Sequence, residues 1–318
     1  MIEHDPTAIG SSLDWLRNQL RSHGIAIAER SALDLAFARC LELRQCFEVH
    51  RGPRLPTPRE QLTWFGDAFG IDFMSKLLHR AVLDGLDVPK KLWSALGNPT
   101  ADVILTRAGK PSQPRDHVWE LMLGALCQRV ATSVVFAEPD VRCEFRGDQL
   151  AIAAKVSYRP RNIWDNADSK GIKQANGRGS LGLVAVNAAN IAPLKTWLRS
   201  CRRRGFSPGP RPGEWASAKT ARWCDLALDA ERGVVTLARP AMPTGIVFFL
   251  PILLIVEEQP GVFFYLHMPS TWQCDGGPDF AFVSALCEAS KTILDRVDEV
   301  HPDQVSGPPP ARVYPQRP

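Results

Sequence analysis

The chain has 318 residues, 45% of them apolar, enough to bury a real interior in two domains or in one core with additions. Its longest apolar run, Ile246 to Val256, contains Pro251 and falls well short of the roughly 20 residues that cross a bilayer, so it is expected as buried strand and a membrane partner is not expected. Net charge is +4, yet fourteen Lys and Arg against three acids lie between positions 155 and 222, which makes that segment +11 and the rest −7.

A field of one sign concentrated in one stretch suits a phosphate backbone, through attraction and counterion release; a solvated face whose charges never converge is the plainer alternative. The opening Met1-Ile2-Glu3-His4-Asp5 has no basic patch and no apolar signal core, so the expected compartment is the cytoplasm. Eight cysteines are scattered without a Cys-x-x-Cys pair and read as free thiols. The offsets of Cys40, Cys46 and His50 do not fit common zinc spacings.

In chain order, helices are expected at Ser12–Arg21 and at Leu33–Val49, where Leu33, Ala36, Cys40, Leu43 and Phe47 recur at three- and four-residue steps. Thr57-Pro58-Arg59-Glu60 is a capping box with proline at the first helical position, opening a helix through Ala68. Val103–Arg115, rich in Gly and Pro, reads as a linker. A different grammar follows: a helix over Asp116–Val130, strands at Ser133–Phe136 and Asp140–Phe145, a Gly147-Asp148 turn, and a strand at Leu150–Val156. A short helix near Gly171–Asn176 and the apolar strand Leu181–Val186 come next. Further downstream, Ala192–Arg204 and Ala218–Ala230 read as helices, strands are expected near Val234–Leu237, Ile246–Leu250, Ile252–Val256 and Val262–Met268, and a last helix at Phe280–Val297. The P-loop, dinucleotide, Gly-x-Ser-x-Gly and His-Glu-x-x-His patterns are absent.

Within this order, Glu120 stands on a helix, Pro139-Asp140 opens a strand, and Lys155 closes its hairpin partner after Ala153-Ala154. Residues 116 to 187 thereby resemble the PD-(D/E)xK nuclease superfamily. The resemblance implies a restriction-endonuclease-like α/β fold, a mixed sheet flanked by helices, preceded here by an N-terminal helical region. It also implies that Glu120 and Asp140 bind Mg²⁺ or Mn²⁺, aided by the carbonyl of Ala154, while Lys155 positions the attacking water. Carboxylates with an ammonium suit phosphodiester hydrolysis, because a hard cation neutralises charge on an anionic centre and supplies hydroxide near neutral pH.

The sequence departs from the family at Ala153, where the pattern holds Asp or Glu. Two residues are expected as substitutes: Glu138, two positions before Asp140 and so on its face of an extended strand, and Gln174, on the crossover helix. Arg159, Arg161, Lys170, Lys173, Arg202, Arg203 and Arg204 are the candidate contacts to nucleic acid, with Tyr158, Trp164 and Trp197 available for stacking; macrodipole complementation and core packing are the plainer roles for the arginine cluster and Trp197.

The expected organisation is a helical region over 1–112, a nuclease-like core over 113–302 and a Pro-rich tail over 303–318. The expected function is a Mg²⁺-dependent DNA endonuclease, in foreign-DNA defence or DNA processing. The alternative is a degenerate nuclease fold that binds nucleic acid or a protein without cutting. The N-terminal helices are a candidate surface for a protein partner, and self-association is compatible with either reading.

Overall fold

A computed structural model describes residues 8–49, 58–99, 111–158, 181–187, 245–249, 271–272, 281–286 and 288–289. The protein is α/β: among the described residues five helices precede a six-stranded mixed sheet. The helices are α1 (Leu13–Ser22), α2 (Ala32–Glu48), α3 (Pro58–Leu83), α4 (Lys90–Leu96) and α5 (Gln113–Gln128). The strands, β1 (Ser133–Val135), β2 (Val141–Phe145), β3 (Asp148–Val156), β4 (Leu181–Asn187), β5 (Gly245–Phe249) and β6 (Thr271–Trp272), lie in the sheet in sequence order. The β1/β2, β2/β3 and β5/β6 pairs are antiparallel, and β3/β4 and β4/β5 are parallel.

Helical periodicity explains the first layer. Leu13, Leu16 and Leu20 of α1 and Leu33, Ala36, Phe37, Cys40 and Leu43 of α2 are buried at helical steps. The third helix runs to Leu83, far past the expected Ala68, since Gly66 and Gly70 cost only about 1 kcal/mol each and burial outweighs them. Two acids inside this layer are matched. Asp67 pairs with Arg39, and Asp72 accepts the Gly10 N–H at 2.8 Å and Lys76 Nζ at 2.8 Å. Gly10 delivers that N–H from φ +76°, a conformation costly to any residue with a Cβ.

The fifth helix is the shared wall. After Ser112 in extended conformation and Pro114 in the first turn, every residue from Val118 to Gln128 is buried, as expected for a helix enclosed on all sides. On one side Gln128 Nε2 donates to the Asp84 carbonyl at 2.8 Å and Arg129 pairs with Asp84 at 3.1 Å. On the sheet side, Trp119 Nε1 donates to the Ala185 carbonyl at 3.1 Å and its ring meets Phe249 at 4.9 Å. One apolar core therefore runs continuously from Ile9 to Leu286. Trp119→Phe keeps most of the ring area but loses the hydrogen bond to the Ala185 carbonyl, which lies in a strand laddered on both sides; it is expected to cost about 0.5–1.5 kcal/mol, measurable by denaturant unfolding.

The sheet follows from simple alternation. Val141, Cys143 and Phe145 are buried between half-buried Arg142 and Glu144, and Cys143 meets the Cys127 thiol of α5. Phe145 packs edge-on against Phe282, at 5.3 Å, from the helical residues 281–286. The β2/β3 turn is centred on Arg146 (φ 55°) and Gly147 (φ 89°), one residue earlier than the sequence suggests, and β3 consequently begins at Asp148. Two positive φ angles mark the type I′ turn that matches strand twist. Leu-Gly-Leu-Val-Ala-Val-Asn of β4 lies between two parallel neighbours, which its near-continuous apolar character requires. No helix among the described residues is long and apolar enough to cross a membrane.

Candidate active site

The hairpin brings Asp140 and Lys155 together. The register Val141↔Ile152, extended by one step, sets Asp140 opposite Ala153. From there the Asp140 carboxylate curls over the strand, accepting the Ala154 N–H at 2.7 Å and Lys155 Nζ at 3.2 Å on the same Oδ2. Asp140 itself lies in a bend just before β2 and not inside the strand, because Pro139 has no N–H to offer a ladder. Both side chains are largely sheltered, 24% exposed for Asp140 and 16% for Lys155, so their attraction is screened less than that of a surface pair.

Glu120 approaches from α5. Its carboxylate is 9% exposed and pairs at 3.5 Å with Lys91 of α4, whose side chain is 60% exposed. One turn earlier on α5, Asp116 accepts the Tyr158 hydroxyl at 3.3 Å, just past the end of β3. Asp116, Glu120, Asp140 and Lys155 form one electrostatic neighbourhood. Burial pushes the Asp140 carboxyl above the usual range, against the pull of Lys155 and the Ala154 amide. Burial likewise raises Glu120, opposed by Lys91 and reinforced by the negative charge of Asp140. Asp116 is raised by burial, with Tyr158, His117 and Lys155 opposing and Asp140 adding to it. Burial and the neighbouring Asp116 push the Tyr158 phenol to about 12, so it stays a hydrogen-bond donor throughout the physiological range. A concentration of perturbed acids around one lysine characterises functional sites more than ordinary surfaces.

Ala153 is completely buried, and no acid stands there to face Lys155. Glu138 lies in a turn and not in an extended strand; it is exposed, and its carbonyl takes Arg142 Nε at 2.6 Å. Its charge nevertheless reaches Asp140 and raises it further. Gln174, Arg159, Arg161, Lys170, Lys173, Arg202, Arg203 and Arg204 lie outside the described residues, as do Thr57, Trp164, Trp197, positions 103–110 of the expected linker, the expected crossover helix, the helices expected at 192–204 and 218–230 and the strands expected near 234–237, 252–256 and 262–268. The end of the expected linker, Gln113 to Arg115, instead opens α5, because Pro114 fits the first turn of a helix. Among the described residues no group of three or more His, Cys, Asp or Glu comes together as a metal cage.

Lys91 and Asp116 escaped the sequence reading. Asp116 carried a usable signal, since it precedes Glu120 by one helical turn and so shares its face. Lys91 had none, because its approach depends on how α4 packs on α5. No family model, curated protein or solved structure matches the chain.

Proposed function

We propose that the chain is a Mg²⁺-dependent nuclease acting on DNA, built on a restriction-endonuclease-like core, with Lys155, Asp140 and Glu120 at its centre. The observation that carries this reading is the 3.2 Å contact of Lys155 on β3 with Asp140 just before β2, with the buried Glu120 close enough for charge to be felt between it and both groups. A structural ion pair alone would not need a second buried acid beside it.

Asp140 and Glu120, with the Ala154 carbonyl, are hard oxygen donors of the kind Mg²⁺ takes, and Mg²⁺ is held by one or two carboxylates plus several waters. Glu138 or Gln174 would complete the set. When bound, the ion would neutralise phosphate charge and acidify a water. Lys155 is anchored by Asp140, which fixes its ammonium where it can hold a water or a phosphate oxygen in line for attack. Tyr158 holds Asp116 in place through its hydroxyl.

The test is cleavage of supercoiled plasmid and of single-stranded DNA with Mg²⁺, with Mn²⁺ and with chelator. Wild type is expected to cut only with metal, and Lys155→Met to lose about 10²–10³-fold, the usual effect of removing one preorganised charged donor. Undiminished cutting in chelator, or by Lys155→Met, rules the reading out.

Ala153 supports a second reading, a nuclease fold that binds nucleic acid without cutting, because a buried methyl stands at the position of a ligand. Under it, binding falls steeply with salt and is indifferent to Mg²⁺.

A further inference from the structure

Lys91 and Lys155 act on the same buried carboxylate from two different parts of the fold. Lys155 belongs to the sheet; Lys91 belongs to α4, in the helical region. The charges of both bear on Glu120. The two ion pairs differ in kind. Lys155 and Asp140 are both mostly covered, 16% and 24% exposed. In the other pair only the acid is covered: Glu120 is 9% exposed and Lys91 60%. Of the three donors on the Lys91 ammonium, a contact at 3.5 Å engages one, loosely. With 60% of its side chain exposed, Lys91 keeps access to solvent beside the buried Glu120.

We propose that Lys91 is a phosphate-binding residue of this site, presented by the helical region to a nucleic-acid backbone that lies across Glu120 and Asp140. The proposal rests on the nucleic-acid reading above but not on cleavage. An acidic centre repels a phosphodiester, and a cation on its outer edge offsets that repulsion where the polymer enters. Lysine suits this role, being a compact point charge on a flexible stem that binds phosphate without demanding a bidentate geometry. Glu120 keeps the stem of Lys91 directed to the site when no polymer is bound. The N-terminal helices are thus part of the binding surface itself.

The experiment is equilibrium binding of a fluorescein-labelled single-stranded oligonucleotide and its duplex to the full chain, in chelator, over a range of salt concentrations. Each phosphate neutralised contributes about −0.9 for duplex, or −0.7 for single strand, to the slope of log K against log salt. Lys91→Ala is expected to make the slope shallower by about one such unit and to weaken low-salt binding several-fold on every sequence, while Lys91→Arg restores both. Lys91→Ala leaves Glu120 buried and unpaired, so Lys91→Ala with Glu120→Gln is measured beside it; the double variant must show the same loss of slope. A wild-type slope and affinity in both variants would overturn the proposal and leave Lys91 as a counter-charge to Glu120 only. Failure of the wild-type chain to bind either polymer would overturn it too. If wild type binds with the Lys91-dependent slope and never cuts, the proposal stands while the nuclease reading falls.

Discussion

Asp140→Asn is expected to abolish metal-dependent cleavage, by about 10³-fold, the size of effect seen when one preorganised electrostatic group is removed, while folding is nearly untouched. The amide is isosteric and its oxygen can still accept the Ala154 N–H that Asp140 takes at 2.7 Å. What disappears is the negative charge that anchors Lys155 at 3.2 Å and would ligate the ion. For stability two effects oppose each other: Lys155 loses its partner, and a carboxylate that burial disfavours is removed.

The sign of the second effect follows from linkage. A carboxyl raised in the folded state favours folding while it is protonated in both states. That contribution is lost as pH rises from the unfolded value through the folded one. At neutral pH the charged Asp140 therefore carries a burial cost that Asp140→Asn relieves. In acid, where both states are protonated, the relief vanishes. Thermal unfolding at pH 7 and well below the ordinary Asp value of 3.8 should thus show the variant faring better, relative to wild type, at pH 7. A variant that cuts normally, or loses activity only because it unfolds, would refute this role for Asp140.

Ala153→Asp tests the other side of the site and is expected to have the largest effect on stability. Ala153 is fully buried, and its register neighbour is Asp140. A carboxylate there has no cation free to receive it, since Lys155 is already engaged by Asp140. An uncompensated buried charge costs about 3–5 kcal/mol, and the melting temperature in chelator should drop accordingly. Added Mg²⁺ should recover part of the loss, because an ion that binds only the folded state stabilises it by mass action. Wild type should respond to Mg²⁺ more weakly, having fewer carboxylates to offer. If the substitution confers cutting on a chain that is otherwise inert, Ala153 is what silenced the site. A destabilised variant indifferent to Mg²⁺ would show instead that no metal site lies beside that strand.

The hairpin and the strands β1, β4 and β5 were legible because their signals are local, whereas the two-residue β6 carries too short a pattern to be read. Alternation in Val141–Phe145 and a glycine between two apolar runs mark the hairpin, but Arg146 and not Asp148 adopts the left-handed conformation beside Gly147, and that one-residue shift of the turn slides the register by two. The pairing of Asp140 with Lys155 was readable for the same reason: a two-residue hairpin fixes which ends meet. The extent of α3 and the existence of α4 were not readable, because burial by other helices overrides the weak propensity of Gly66, Gly70 and a seven-residue segment. Glu138 was placed in a strand because an extended chain carries alternate residues on one face; the proline that follows it starts the ladder later. Lys91 could not be foreseen at all, because no local pattern records a contact between residues 91 and 120.

The order of strands in the sheet also bears on how the chain assembles itself. Asp116, Glu120, Asp140, Lys155 and Tyr158 come from α5 and one hairpin, whose closure spans only Arg146 and Gly147. Joining β5 to β4, by contrast, brings together strands that end at Asn187 and begin at Gly245; for an unfolded chain that separation carries a closure entropy of about 3–4 kcal/mol by the logarithmic law, which must be met before that pairing returns anything. The acidic groups and the lysine can therefore meet early, on a nascent helix and hairpin, with the far side of the sheet joining last.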